Sequence, residues 1–181
     1  KATFVKTVGT LRSEVECIVI SEGNGEARRI TLFNDSAEDR IVEVTSYAEL
    51  ALAPEAADSA HPAFSKMFVE TEITPAGVIF ATRRKRSPSE PSVTLAHFAT
   101  GASAGTRDME AETDRRAFIG RGRTIADAAA FDEGARLGRG QGFTLDPVMA
   151  LRRRVRVPAR KKATVTFWTV VAAERREVED A

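Results

Sequence analysis

"EVECIVIS" (14–21), the triplet Gly23-Asn24-Gly25 and "EARRITLF" (26–33) together spell a β-hairpin. Gly and Asn tolerate the positive φ of a tight turn, and the flanking runs alternate with a period of two. In the first run the alternation sets Val15, Cys17 and Val19 on one face, which predicts a core thiol for the single cysteine. One cysteine allows neither an internal disulfide nor a cysteine-built zinc cluster.

The same period continues outward. "RIVEVTSYAELAL" (40–52) sets Val42, Val44, Ala48, Leu50 and Leu52 against Glu43, Thr45, Tyr47 and Glu49. "KMFVETEIT" and "GVIFATRR" flank a turn at Pro75-Ala76-Gly77, and "SVTLAHFAT" (92–100) and "KATVTFWTVVA" (162–172) have strand composition. "LRRRVRV" (151–157) alternates Leu151, Arg153, Val155 and Val157 with Arg152, Arg154 and Arg156, a face expected to be solvated or to meet Glu43 and Glu49. Short strands between turns predict one all-β domain over residues 1–181, a large antiparallel β-sandwich with a short helix and long loops. The helix is expected over Ile125 to Phe131 with Thr124 as its N-cap.

Composition narrows the function. The 27 basic and 26 acidic residues nearly cancel, which argues against a dedicated nucleic-acid binder. No apolar run approaches the roughly 20 residues that span a bilayer. The chain opens on "KATFVKTVG", mid-pattern and without Met, so it reads as part of something longer.

Candidate chemistry is sparse. His97 lies on a strand and reads as a core histidine; two isolated histidines make no metal site. Glu70 and Glu72 share a strand face and could in principle act as paired carboxylates, although Glu-x-Glu is common on exposed faces. "HPAFSKMF" (61–68) offers His61, Phe64 and Lys66, with Phe64, Met67 and Phe68 expected to anchor the loop. "TDRRAFIGRGR" (113–123) offers Arg115, Arg121 and Arg123 on a glycine-freed backbone, without a phosphate-loop spacing. These six residues are the candidate carbohydrate or interdomain contacts. Trp168 sits in an apolar strand and is expected in the core.

The stretches "RRITLFNDSAEDRIVEVTSYAELALAPEAADSAHPAFSKMFVETEI", "ATRRKRSPSEP", "ETDRRAFIGRGRT" and "LDPVMALRRRVRVPARKKATVTFWTVVA" occur in the order of one family. They resemble the non-catalytic β-sandwich of bacterial cyclic β-1,2-glucan synthases, related to the N-terminal domain of cellobiose and chitobiose phosphorylases. "TSYAELALAPEAADSAHPAFSKMFVETE" is the most specific piece. The resemblance implies a galactose-mutarotase-like super-sandwich that accompanies a phosphorylase-like (α/α)6 barrel. It also implies a cytoplasmic position in a bacterial inner-membrane protein, and a β-1,2-glucan or another glucooligosaccharide as ligand. No residue matches the barrel's catalytic motif, so no catalytic residue and no cofactor are implied. The family sandwich starts earlier than this chain, which predicts an unpaired edge open to a second copy.

Overall fold

The computed structural model describes residues 1–21, 23–104 and 109–180. Its strands are β1 (Ala2–Val8), β2 (Leu11–Val19), β3 (Asn24–Asn34), β4 (Arg40–Glu49), β5 (Val69–Ile73), β6 (Ile79–Arg83), β7 (Thr94–Gly101), β8 (Met109–Asp114), β9 (Gly142–Phe143), β10 (Pro147–Val157) and β11 (Lys162–Ala172). Short helices α1 (Glu55–Ala60), α2 (Pro62–Lys66) and α3 (Arg115–Ile119) lie between strands, and α4 (Arg175–Glu179) follows β11. The large sheet runs β1-β2-β3-β11-β7-β6-β5-β9, and the small one β4-β10-β8. Every described pairing is antiparallel, as the all-β sandwich reading requires.

The opening hairpin has the register its turn implies. Val19 faces Glu26 and Val15 faces Ile30, and the Ile20 amide donates to the Gly25 carbonyl at 2.9 Å. Glycine at 25 also admits β11: a Cβ there would stand 3.0 Å from the Thr169 carbonyl oxygen and 2.8 Å from Ile20 Cδ1.

The main core lies between the sheets. Ile30, Leu32, Val165 and Phe167 of the large sheet meet Leu151, Val155 and Val157 of the small one. A second core covers the other face of the small sheet, where Phe118, Ile119, Ala128, Ala130 and Leu137 close over Ala150. Along β4, which ends the small sheet, a groove of about 710 Å³ runs between Leu11, Val15, Ile30, Val42, Val44 and Ile125.

Several expectations change. Cys17 is only half-buried, and Val19 of the same face is 79% exposed, because the small sheet has too few strands to cover this end of the large one. Glu16 is buried instead, held by Lys1 and by Arg29 Nε at 2.6 Å. Trp168 is half-buried on the outer face, since Phe167 takes the inward position of β11. Residues 125–131 form two 3-10 turns, Ile125–Asp127 and Ala129–Phe131, separated by extended Ala128 (ψ 140). Thr124 does cap the first, in a reciprocal pairing with Asp127. Arg152 is not solvated: its side chain is 2% exposed beneath residues 130–135. Arg154 and Arg156 stay at the surface and pair with Glu43 and Asp39, so an ion-paired arginine face is present.

His97 is 3% exposed, as its strand position suggests. Its Nδ1 lies 3.0 Å from Thr169 Oγ1, and Nε2 has no hydrogen-bond partner among the described residues. Burial pushes the imidazole down to about 4, against a weaker upward pull from the Trp168 backbone. The unfolded chain therefore takes up this proton near pH 6.5, while the fold refuses it until about pH 4. The His97 contribution alone is expected to lower stability by about 3 kcal/mol as pH drops through that window, and to level off below it. Denaturant titrations at pH 7, 5.5 and 4 check this. An unchanged pH slope in His97→Phe would contradict it.

Candidate carbohydrate or interdomain contact site

The connection from β4 to β5 carries the first three candidates. His61 stands between α1 and α2, exposed, with φ −148 and ψ 74. Its amide donates to Ala57 O at 3.2 Å and its carbonyl accepts from the Ser65 amide at 3.0 Å, so its backbone joins the two helices. Pro62 suits the first turn of α2, where its missing N–H leaves no bond unmade. The loop is not anchored as the sequence suggests. Phe64 and Met67 are about half exposed, at 49% and 53%, and the buried residue is Ser65. Its hydroxyl donates to Ala57 O at 3.3 Å, and its carbonyl accepts from Arg83 Nη1 at 2.6 Å.

Around this loop lies a cationic and aromatic surface. Phe64 meets Phe68 edge-on, with centroids 5.1 Å apart. The Arg86 guanidinium lies 6.0 Å from the Phe64 ring and 5.8 Å from that of Phe68, and Arg84 lies 5.6 Å from Phe68. Arg84 also reaches Phe143, which is 58% exposed on the edge strand β9. Such contacts contribute about 0.5–1 kcal/mol each when exposed.

Lys66 and Arg115, 49 positions apart in sequence, converge on Asp146. Lys66 Nζ is 2.6 Å from Asp146 Oδ1, and Arg115 Nε is 3.6 Å from Asp146 Oδ2. Arg115 Nε also donates to Glu49 Oε1 at 2.8 Å, and Tyr47 Oη donates to the same oxygen at 3.1 Å. Arg115 holds the Glu49 carboxyl below its ordinary range, while burial and then Glu49 push the Tyr47 phenol up to about 12. The result is a run of alternating charge, Lys66–Asp146–Arg115–Glu49–Tyr47. It offers fixed donors and acceptors on the segments that also carry the exposed rings, Lys66 following Phe64 and Asp146 following Phe143. Asp146 carries no motif of its own in the sequence, and only the fold reveals it.

The other two arginines lie apart. Arg123 Nη1 is held by both Asp132 oxygens, at 2.7 and 2.8 Å. Arg121 is exposed in the turn between Gly120 (φ 87) and Gly122 (φ 73). No described contact links either to Lys66 or Arg115.

Of the carboxylate pair Glu70 and Glu72, the second is committed to an ion pair and is not set up as a general acid. Arg175 grips both Glu72 oxygens, at 2.6 and 3.2 Å, and holds that carboxyl below its ordinary range. A general acid requires a shift in the opposite direction. Among the described residues no group of three or more His, Cys, Asp or Glu is placed to hold a metal ion, and no helix is long and apolar enough to cross a membrane.

Residues 1–181 match the glycosyl hydrolase 94 supersandwich domain, and the chain belongs to that family. The chain is 57% identical over 182 aligned residues to the cyclic beta-(1,2)-glucan synthase NdvB of Rhizobium meliloti. That alignment covers all of this chain but only 6% of the relative's length. Among solved structures, a polysaccharide lyase matches at a TM-score of 0.50 and 11% identity, over 96% of this chain and 22% of the lyase. The likeness to the lyase concerns the fold alone.

Proposed function

We propose that this chain is an accessory domain of a bacterial cyclic β-1,2-glucan synthase. In this reading it contacts glucan and braces a phosphorylase-like (α/α)6 barrel of the same polypeptide, on the cytoplasmic side of the inner membrane, and performs no chemistry itself. The observation that supports the reading is the Lys66–Asp146–Arg115–Glu49–Tyr47 run, which shares its connecting segments with exposed Phe64 and Phe143. Rings with adjacent donors and acceptors of both signs suit a neutral, hydroxyl-rich ligand.

The test is titration of linear and cyclic β-1,2-glucooligosaccharides, followed by amide NMR shifts. Saturable shifts are expected across 61–68 and at Arg115 and Asp146. Lys66→Ala and Phe64→Ala should each weaken binding by about tenfold. An absence of shifts at millimolar sugar would reject direct glucan contact.

The groove along β4 favours a second reading, a docking or dimerisation domain without sugar contact. Among the described residues no strand pairs with the outer side of β4, and apolar side chains flank it. Such an edge accepts a further strand from another segment or another copy. Sedimentation as a stable dimer, with no sugar response, would support this reading.

A further inference from the structure

We propose that the Phe98–Trp168 ring pair on the outer face of the large sheet is a second carbohydrate subsite, one that takes a neutral glucan chain. The proposal rests on the glucan-contact reading above but concerns a different surface. Phe98 on β7 and Trp168 on β11 are direct cross-strand partners. Their rings lie 15° from parallel, with centroids 6.3 Å apart. Phe167 points into the core, so its neighbour Trp168 must face outward.

The rest of this face shows how the fold treats outward apolar residues. Phe80 and Ala96 are covered by Val178 of α4, with Val170 packed alongside. The adjacent Phe98–Trp168 pair receives no such cover from α4, and both rings remain partly exposed. Two adjacent rings left partly uncovered form an apolar platform on which the C–H face of a sugar can stack.

Trp168 is also fixed in place. Its Nε1 donates to Thr100 Oγ1 at 2.9 Å, and Thr100 itself is exposed. A pre-oriented indole loses little freedom on binding. With Trp168 as donor, the Thr100 hydroxyl keeps its own proton for a ligand. Further hydroxyls lie along the same face: Thr166 two residues before Trp168, then Thr164, whose hydroxyl is 3.2 Å from that of Thr31. Beyond Thr166 lies the exposed Arg29, with Glu16 buried behind it and held by Arg29 and Lys1.

These groups select the ligand class. The cations at one end, Arg29 and Lys1, are already paired with the buried Glu16, so an anionic polymer such as nucleic acid would have to break those pairs. A neutral polyol can stack its C–H face on the rings and hydrogen-bond to hydroxyls and charged groups alike. The row Ile18–Ala27–Trp168–Phe98 crosses four strands, about 14 Å at the usual strand spacing. That length suits a chain of sugars better than a single one.

The sequence contains a single tryptophan, so emission excited to the red of tyrosine absorption, which leaves Tyr47 silent, reads this subsite alone. The experiment is titration of the 181-residue chain with linear β-1,2-glucooligosaccharide and, separately, with cyclic β-1,2-glucan, following emission and amide shifts together. A saturable emission change is expected, with shifts at residues 98–100 and 166–168. Trp168→Ala should weaken binding at these amides by about tenfold or more. Thr100→Val, which removes only the indole's hydrogen-bond partner, should weaken it less and serves if Trp168→Ala fails to fold. Unchanged emission with shifts confined to 61–68 and Arg115 would overturn this subsite and leave the glucan-contact reading standing. Silence from every residue at millimolar sugar would overturn both. A concentration-dependent emission change without sugar would assign the rings to self-association and overturn the proposal.

Discussion

Arg152→Leu is expected to destabilise the chain by about 3–5 kcal/mol, which corresponds to a fall in melting temperature of roughly 10 °C. The buried guanidinium ties three segments together. Its Nη1 donates to the Ala135 carbonyl at 2.9 Å, Nη2 donates to the Ala130 carbonyl, and Nε reaches Thr45 Oγ1 at 3.3 Å. Nη1 also lies 3.6 Å from Glu43 and 3.7 Å from Glu110. Of these two carboxylates Glu43 is half exposed, at 51%, and contributes little, whereas Glu110 is only 11% exposed and would lose a buried partner. Two carbonyls would lose their donors in the same substitution. Arg152→Lys should not restore the loss, because an ammonium cannot reproduce the planar fork. Thermal melts of the two variants decide the matter. Melting within about 2 °C of wild type would show that residues 124–138 are held without this guanidinium.

The second large effect is expected at Glu112. This carboxylate is 2% exposed, and its hydrogen bonds come from backbone amides rather than from a cation. Oε1 accepts from the amides of Thr113 at 2.9 Å and Asp114 at 3.0 Å; Oε2 accepts from those of Gly138 at 3.1 Å and Gly140 at 3.4 Å. Converging amides of this kind form a cradle for an anion, and here the anion is supplied by the chain itself. Glu112→Ala leaves the cradle empty and should cost about 3–5 kcal/mol. Glu112→Gln tests the charge, because its NH2 would face an amide donor. The second wall of the cradle gives an independent check. A Cβ at Gly140 would stand 2.4 Å from Glu112 Oε1, so Gly140→Ala must displace the carboxylate and should cost about 2–4 kcal/mol. If Glu112→Ala and Gly140→Ala both fold with wild-type stability, the carboxylate does not organise this loop.

The sheet architecture was legible because period-two alternation and turn chemistry are local signals. The hairpin at 14–33, the strand at 162–172 and the buried position of His97 all follow from neighbours in sequence. The departures arise where a distant segment decides burial. Arg152 alternates with Arg154 and Arg156 as if equally exposed, and only the folding of residues 124–138 over it makes it differ. In "TFWTV" both phases of the alternation are apolar, so the sequence could not say whether Phe167 or Trp168 turns inward. For the candidate site, basic residues in two unusual stretches marked Lys66 and Arg115, but the acid between them had no local signature. Arg123 and Arg121 share a stretch with Arg115, yet the turn through Gly120 sends the chain elsewhere.

The position of β11 sets a timetable for folding. This strand, residues 162–172, lies between β3 and β7 and pairs with both along most of its length. During synthesis the β1–β3 ribbon and the β5–β7 ribbon emerge first, and each must wait with one edge exposed. At about 5–20 residues per second, the interval between completing β7 and completing β11 is several seconds. Aggregation is favoured in that window, because two unpaired edges face a crowded solution. The two halves of the large sheet can therefore join only once β11 has emerged.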